Sequence, residues 1–139
     1  MLELAAAEPQ RLSRDELAQR QQLPTRYLEA ILRDLARERL LASHRGAAGG
    51  YELSRPPAEI TVADVSRAVD GPLALIAQRR PETVDYQGAS EHLGELWVGL
   101  RAAIRSVLEH VTLADLLEGE LPPAIREMLD DAGAWHPRL

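Results

Sequence analysis

One stretch of the sequence, HRGAAGGYELSR at residues 44–55, combines side chains and backbone that can bind phosphate. Arg45 carries a planar guanidinium, which can donate two hydrogen bonds at once to a phosphate or a guanine. Gly46, Gly49 and Gly50 have no Cβ atom, so the backbone there can approach a ligand closely. The stretch therefore predicts either the phosphate-binding loop of an enzyme or the tip of a β-hairpin that contacts a charged partner.

The residues on either side of these glycines favour the hairpin. A nucleotide-binding glycine loop follows a strand, opens a helix and ends in G-K-[ST]. This stretch instead joins two short extended runs, residues 40–45 and 51–54, and is closed by the double proline Pro56–Pro57. We therefore interpret residues 44–55 as the tip and return strand of a hairpin.

Other residues capable of catalysis or metal binding are dispersed along the chain. None of the four histidines has a recognisable spacing to a nucleophile or a paired carboxylate. The chain has no cysteine, which excludes disulfides, thiolate metal sites and a cysteine nucleophile. Glu91, His92 and Glu95 lie within about one helical turn and offer oxygen and nitrogen ligands, but the solvated start of a helix is the simpler explanation. We predict no catalytic site, no metal and no cofactor, and hence not an enzyme.

Composition and length fit one globular domain. The 139 residues are 45% hydrophobic and 27% charged, which is ordinary for a folded protein. No apolar run approaches the roughly 18–20 residues that a membrane span needs. The start, MLELAAAEPQ, does not have the pattern of a signal peptide. We expect a cytoplasmic protein with no membrane partner.

Charge is distributed unevenly. The net charge of −6 by itself argues against nucleic acid, because neutralisation of phosphates dominates such binding. Residues 20–55, however, hold seven arginines against four acidic residues, a net charge of +3. Residues 58–139 hold seven arginines against 14 acidic residues, a net charge of −7. The first of these regions therefore suits an anionic partner and the second does not.

Two helices precede the hairpin. Ser13 and Glu16 have the spacing of a capping box, which predicts a helix from Arg14 to about Gln21. Pro24 then suits the start of a second helix. The second helix carries one buried apolar stripe, formed by Leu28, Ile31, Leu32 and Leu35. Helix, turn, helix and hairpin follow in the order of a winged helix, with the hairpin as the wing.

The polar face of the second helix has two interpretations. Arg26, Glu29, Arg33 and Arg37 share a face at helical spacing. They fit a solvated face on which Glu29 and Arg33 form an ordinary ion pair four residues apart. The alternative is a face that contacts nucleic acid.

The second half of the chain is predicted to be helical. Thr61 and Asp64 cap a helix that runs to about Asp70 and stops at Gly71, and a connecting loop follows. Ser90 opens the longest helical pattern, whose apolar residues repeat about every 3.5 positions, as in the seam of paired helices. The seam residues are Leu93, Trp97, Leu100, Ile104, Val107 and Val111. An amphipathic helix packed on its own domain is the alternative.

These elements predict a mainly α fold with a small β-hairpin, that is, a winged helix-turn-helix domain plus a long dimerisation helix. The predicted division is a DNA-binding domain at residues 1–71 and a connecting, sensor-position loop at 72–92. The dimerisation helix and a short following helix cover 93–119, and an acidic C-terminal tail covers 120–139.

The assembled pattern resembles the Rrf-type family of bacterial winged-helix transcriptional regulators, the IscR/NsrR/CymR-like group. The motifs are YLE in the second helix, SHRGAAGGYELSRPP through the wing, ITVADVSRAVDG after it, and LWVGLRAAIRSVLEHVTLADLL near the end. The resemblance implies a homodimer on a palindromic double-stranded DNA operator. It places the second helix in the major groove and Arg45 near the minor groove. The predicted DNA-binding residues are Thr25, Arg26, Tyr27, Glu29, Arg33, Arg45, Gly46, Gly49 and Gly50.

Chemistry agrees with these assignments. Thr25 and Arg26 lie in the first turn of the recognition helix, where base edges and phosphates are within reach. Tyr27 can pack or donate a hydrogen bond to a phosphate. Glu29 can accept a hydrogen bond from a cytosine amino group. Arg45 at the hairpin tip suits a narrow, negative groove.

Two features depart from the family. Its sensing members bind an iron–sulfur cluster through three cysteines, whereas residues 73–92 contain none, and the position of the family's accessory histidine falls on Gly94. A cysteine-ligated cluster is therefore excluded. Met1 corresponds to the middle of the family's first helix, so we expect either a start further upstream or a shortened helix that weakens DNA binding and stability.

The leading functional prediction is a homodimeric, sequence-specific DNA-binding repressor without an iron–sulfur cluster. Its signal is open: a small molecule near residues 73–92, a partner protein, or none. The alternative is a protein-interaction module of the same fold with vestigial DNA binding, which the acidic second half favours. Steep salt dependence of duplex binding distinguishes the first from the second.

Overall fold

The computed structural model describes residues 1–46, 49–73 and 80–136. In these residues helices predominate, and the strands form one two-stranded antiparallel sheet. The elements in chain order are α1 (Leu2–Ala7), α2 (Arg14–Gln21), α3 (Thr25–Arg37), β1 (Leu41–His44), β2 (Gly50–Leu53), α4 (Val62–Asp70), α5 (Leu93–Leu108), α6 (Leu113–Glu118) and α7 (Pro123–Asp130). The mainly α fold with a small hairpin is thus confirmed.

Capping boxes fix the first residues of three helices. In each, the side chain of the N-cap residue accepts a hydrogen bond from the third helical N–H, and the acidic side chain at that third position accepts one from the N-cap N–H. Such reciprocal bonds satisfy donors that a helix start otherwise leaves free. The pairs are Ser13 with Glu16, Thr61 with Asp64, and Thr112 with Asp115. The sequence analysis predicted the first two of these helix starts from the same pairs of residues.

The core lies where the helix-turn-helix, the hairpin and α4 meet. Leu28, Leu32 and Leu35 of α3 are buried, and Ile31 packs against the same cluster, as the apolar stripe predicted. Burial of each such leucine contributes about 1.5–3 kcal/mol relative to an exposed side chain. The remaining buried apolar members are Leu4, Ala5, Leu12, Leu17, Ala18, Leu40, Leu41, Leu53, Ile60, Ala68 and Leu113.

The wing is a short hairpin fastened to the segment before α2. Its register runs from Leu41 opposite Leu53 to His44 opposite Gly50. Leu12 and Tyr51 exchange two backbone hydrogen bonds of 3.2 and 2.8 Å. These bonds satisfy the outer edge of β2, so the wing is held on both sides.

The chain returns to the first domain after α5. The Val62 N–H donates to the Val111 carbonyl at 2.8 Å, and the Leu113 N–H donates to the Ile60 carbonyl at 2.9 Å. α6, which the sequence analysis grouped with the long helix, packs against α1 and the turn at Pro57–Glu59. The winged helix therefore includes a C-terminal element, and this element ties the C-terminal end of α5 to the core.

The long helix is shorter than predicted. It begins at Leu93, because residues 88–90 form a separate 3-10 turn, and it ends at Leu108. Val111 lies beyond it and is only 5% exposed in the chain's own core. The assignment of Val111 to the dimerisation seam is therefore wrong, because its side chain is already covered.

The described residues between α4 and α5, 71–73 and 80–92, form no α-helix or strand. Residues 81–83 and 88–90 form single 3-10 turns, and residues 74–79 of the predicted loop lie outside the described residues. No helix in the described parts of the chain is long and apolar enough to cross a membrane.

Candidate nucleic-acid interface

The first turn of α3 faces solvent. Thr25 is half-buried, whereas Arg26 is exposed and the Tyr27 side chain is 58% exposed. Arg33, two turns further along, is exposed as well. The apolar stripe on one side of α3 is buried, and Arg26, Tyr27 and Arg33 are exposed on the other. The exposed side of α3 is therefore accessible to a DNA groove.

Glu29 has an intramolecular partner that the sequence did not indicate. Its carboxylate accepts a hydrogen bond from Nη1 of Arg14 in α2 and forms an ion pair with that guanidinium. Arg14 also donates from Nε to Asp15 at 3.0 Å. The contact joins the two helices of the helix-turn-helix, so Glu29 helps to orient α3. The alternative ion pair of Glu29 with Arg33 is not formed.

Four arginines in the helix-turn-helix and wing have no partner side chain in the described part of the chain. Among the described residues, Arg26, Arg33, Arg39 and Arg45 take part in no ion pair and no side-chain hydrogen bond, whereas most other described arginines are paired with carboxylates. An unpaired guanidinium can bind a phosphate without first breaking an internal contact. Sequence reasoning missed Arg39, which follows α3 directly in a left-handed conformation with φ of 57°.

A carboxylate at the base of the wing holds three segments together. Arg11 Nε donates to Glu52 Oε2 at 2.8 Å, and His44 Nε2 lies 2.6 Å from Glu52 Oε1. The hydrogen bond from Arg11 is the main reason that the pKa of Glu52 lies below its ordinary value. This cluster fixes the base from which Arg45 projects.

Two of the wing glycines are required by the wing itself. A Cβ atom on Gly49 would lie 2.4 Å from the His44 carbonyl oxygen, and one on Gly50 would lie 2.8 Å from the Leu12 carbonyl oxygen. Gly46 has φ of +96° with open space around it, so it permits the turn rather than a close contact. The sequence analysis attributed these glycines to approach toward a partner, but Gly49 and Gly50 are needed first for packing inside the protein.

The wing tip and the start of α2 face a common cleft. Arg45 and the glycines line it from one side, and Ser13 and Arg14 line it from the other. The first turn of α2 carries the partial positive charge of a helix N-terminus. The structure thus brings the predicted wing residues next to two residues of α2 that the sequence analysis did not select.

Replacing Gly49 by alanine is expected to distort the wing, because the new Cβ meets backbone atoms that have no space to move. Overpacking of this kind costs about 1–3 kcal/mol, so the melting temperature falls and hydrogen exchange in β1 and β2 becomes faster. Ser54→Ala, at the exposed end of the same hairpin, is the control. Exchange rates equal to those of the unmodified wing would contradict this account of Gly49.

The long helix exposes an apolar face. Leu96 is 61% exposed and Leu100 47%, and Ala103 is exposed on the same side of the helix. The other predicted seam residues of this helix, Leu93, Trp97, Ile104 and Val107, are half-buried. The exposed stripe is therefore rotated toward Leu96 relative to the predicted seam, while α4 and the turn at Pro81–Thr83 pack against α5.

The donor set near α5 does not fit an iron–sulfur cluster. Such clusters are held by thiolates, and the sequence has none. At the position of the family histidine, a Cβ on Gly94 would already meet the Tyr86 ring at 3.3 Å. Glu91, His92 and Glu95 are all largely exposed, and no group of three such side chains in the described residues is arranged to hold a metal ion.

Comparison with protein families gives a match over residues 1–119 to Rrf2, a family of iron-dependent transcriptional regulators. A helix-turn-helix transcriptional regulator of Mycobacterium tuberculosis is 45% identical over 132 residues, covering 94% of this chain and 82% of the relative. CymR of Bacillus subtilis is 35% identical over 100 residues, covering 72% of this chain and 67% of that protein. These relatives are named as regulators of transcription rather than enzymes.

Solved structures show the same fold. CymR, the global cysteine regulator of B. subtilis, superposes with a TM-score of 0.68 at 34% identity, covering 83% of this chain and 84% of that one. IscR of T. potens superposes with a TM-score of 0.67 at 27% identity, covering 99% of this chain and 84% of that one.

Proposed function

Because the chain belongs to the Rrf2 family of helix-turn-helix transcriptional regulators, we propose that two copies of it bind a palindromic DNA operator in a sequence-specific manner. In this proposal α3 enters the major groove and Arg45 of the wing reaches toward the minor groove. The protein acts as a repressor in the cytoplasm, where bacterial DNA lies, and it has no catalytic role.

The observation that carries the proposal is the set of unpaired arginines. Arg26, Arg33 and Arg45 are exposed and have no carboxylate partner among the described residues, in a protein whose net charge is −6. Phosphate contacts supply most of the affinity in non-specific DNA binding and position the protein for base readout. Three free guanidiniums on the recognition helix and wing are the arrangement that such contacts need.

The exposed stripe of α5 supports a homodimer. Leu96, Leu100 and Ala103 lie on one side of a 16-residue helix. A two-fold axis beside this helix would place the same side chains of two copies against each other, as an isologous interface requires. Dimerisation would also present two recognition helices, so the operator would contain two inverted half-sites.

The proposed regulator works without an iron–sulfur cluster. The absence of thiolates argues against one, and so does the Tyr86 ring, which lies 3.3 Å from the place of a Cβ on Gly94. Its control would therefore not act through a thiolate-bound cluster.

Salt dependence of duplex binding tests the proposal. If the three arginines of each protomer neutralise one phosphate apiece, the logarithm of the binding constant should fall against the logarithm of salt concentration with a slope of about −5. Arg33→Gln removes one contact per protomer, so its slope should be shallower by about two units. Arg37→Gln, at the end of the same helix and paired with Asp34 at 3.0 Å, is the matched control. A flat salt profile would contradict the proposal.

A protein-interaction module of the same fold is the second candidate. The net charge of −7 over residues 58–139 and the exposed Met128 and Trp135 near the C-terminus favour it. For such a module, duplex affinity would be weak and would not depend on Arg33. The same salt titration therefore separates the two functions.

A further inference from the structure

A cavity between the winged helix and α5 collects positive charge in the acidic half of the chain. It has a volume of about 530 Å³, within the range of small-ligand sites. Gly71, Pro72 and Leu73 form part of its wall. We call it the arginine pocket, and its charged lining residues are Arg67, Arg80, Arg101, Arg105, Glu38 and Glu82.

The concentration of arginine here is not explained by composition. Residues 58–139 hold seven arginines against 14 acidic residues, yet four of those seven arginines line this one cavity beside only two glutamates. The six charged side chains of the lining sum to a formal +2, and Glu109, next to the lining, pairs with Arg67 and Arg105. Arginines that converge on one cavity repel one another where they are not paired, so an anion in the cavity would relieve that repulsion.

The internal partners of these arginines do not fully satisfy them. Arg67 and Arg105 share the carboxylate of Glu109, with Arg105 Nε donating at 2.9 Å, and Arg67 also lies 3.9 Å from the Asp64 carboxylate. The hydrogen bonds from Arg105, the larger effect, and from Arg67 hold the pKa of Glu109 below its ordinary value. These two carboxylates cannot accept from every N–H of two five-donor groups, so donors remain for a ligand.

The other two arginines differ in their pairing. Arg101 donates from Nη1 to Glu82 at 2.5 Å. Arg80 is exposed and, among the described residues, forms no ion pair. Arg80 is therefore the lining residue most available to a ligand, and its replacement breaks no ion pair seen in the described chain.

We propose that the arginine pocket binds a compact polyanion carrying at least two carboxylate or phosphate groups. Planar guanidiniums form paired hydrogen bonds with both groups, and the cavity has room for a molecule such as citrate or pyrophosphate. The ligand would contact Arg67 of α4 and Arg101 of α5, beside Glu38, which follows α3. That the ligand alters operator affinity by bridging α4 and α5 rests on the proposed function; the binding itself does not.

A purely structural role is the competing explanation for these arginines. The C-terminal ends of α3 and α4 lie at the pocket, and helix C-termini carry partial negative charge that favours nearby cations. In that case the arginines would need no ligand. Binding measurements on the protein alone distinguish the two explanations.

Titration calorimetry of the full chain, without DNA, tests the proposal with citrate and pyrophosphate as separate probes at constant ionic strength. Saturable binding of one probe per chain is expected, and the tighter probe identifies the carboxylate or the phosphate class. Arg80→Gln should weaken binding by about tenfold, since a hydrogen bond to a charged group is lost. Arg101→Gln should weaken it as well.

Arg126→Gln is the matched control, because Arg126 is an exposed arginine of the same acidic half that pairs with Glu120 at 3.0 Å outside the pocket. Its affinity for the probe should be unchanged. Absence of saturable binding with both probes, or equal weakening by Arg80→Gln and Arg126→Gln, would overturn the proposal. Because DNA is absent, neither result depends on whether the protein binds an operator.

Discussion

Replacing Leu100 by glutamate is expected to convert the proposed dimer into a monomer and to lower operator affinity at least about a hundredfold. Leu100 is 47% exposed in the middle of the apolar stripe on α5, so a second copy would bury the new carboxylate without a partner. A monomer contacts one half-site only. Each base pair that is no longer read costs about 1–3 kcal/mol, and about 1.4 kcal/mol corresponds to a factor of ten.

Sedimentation and duplex binding measure the two parts of this prediction. Ala102→Glu is the control, since Ala102 is exposed on the same helix but away from the stripe. It should leave both the oligomeric state and the affinity unchanged. A Leu100→Glu protein that remains dimeric would show that α5 is not the interface.

The second large effect is expected at the wing. Arg45→Ala should weaken operator binding at least about tenfold, because hydrogen bonds to charged groups contribute about 1.5–3 kcal/mol. Arg45 is exposed at the hairpin tip and unpaired among the described residues, so its loss should not disturb the fold. Minor-groove contacts of this kind depend on groove width, and the loss should therefore be largest on narrow, A·T-rich flanks.

A gel-shift titration with the operator duplex checks this second prediction. Arg20→Ala is the matched control, since it removes the same charge from a residue already bound to Glu3 at 3.2 Å. If both variants keep the melting temperature of the unmodified protein, the weaker binding comes from a lost DNA contact and not from unfolding. Equal operator affinity of Arg45→Ala and the unmodified protein would remove Arg45 from the interface.

Local signals in the sequence were sufficient for the elements that form the winged helix. The spacing of Ser13 to Glu16 and of Thr61 to Asp64 specifies capping within one turn, and the structure has both helices where that spacing places them. The hairpin followed from the glycines and the extended runs around them, to within one residue at each end. Because these features depend on residues that are close together in the chain, the sequence alone predicts them.

Contacts between distant segments were not predictable in this way. Val111 continues the apolar spacing of α5, but the capping box at Thr112 starts a new helix, and Val111 enters the core instead. The ion pair of Arg14 with Glu29 joins residues 15 positions apart, and that of Arg11 with Glu52 joins residues 41 apart. No repeating pattern in the sequence predicts such pairs, because they depend on how the helices and the wing pack against each other.

The ion pair between Glu29 and Arg14 changes which side chains we expect to contact the DNA bases. A carboxylate held by Arg14 stabilises the angle between α2 and α3, and this leaves Arg26 and Arg33 as the free charged side chains of the recognition helix. We therefore expect base and phosphate contacts to rest mainly on arginine, which pairs with guanine through two hydrogen bonds. Glu29 could accept the predicted hydrogen bond from a cytosine amino group only after its ion pair with Arg14 opened.

Selection from a pool of random DNA duplexes by the full-length protein tests the central claim most directly. The account predicts enrichment of one sequence family with two inverted half-sites, whose centres lie about one helical turn or a multiple of it apart, because a two-fold dimer presents two recognition helices. Guanine should be enriched within each half-site, opposite the arginines of α3. A pool that stays unenriched after repeated rounds, or that yields a single half-site without symmetry, would contradict a homodimeric, sequence-specific DNA-binding regulator.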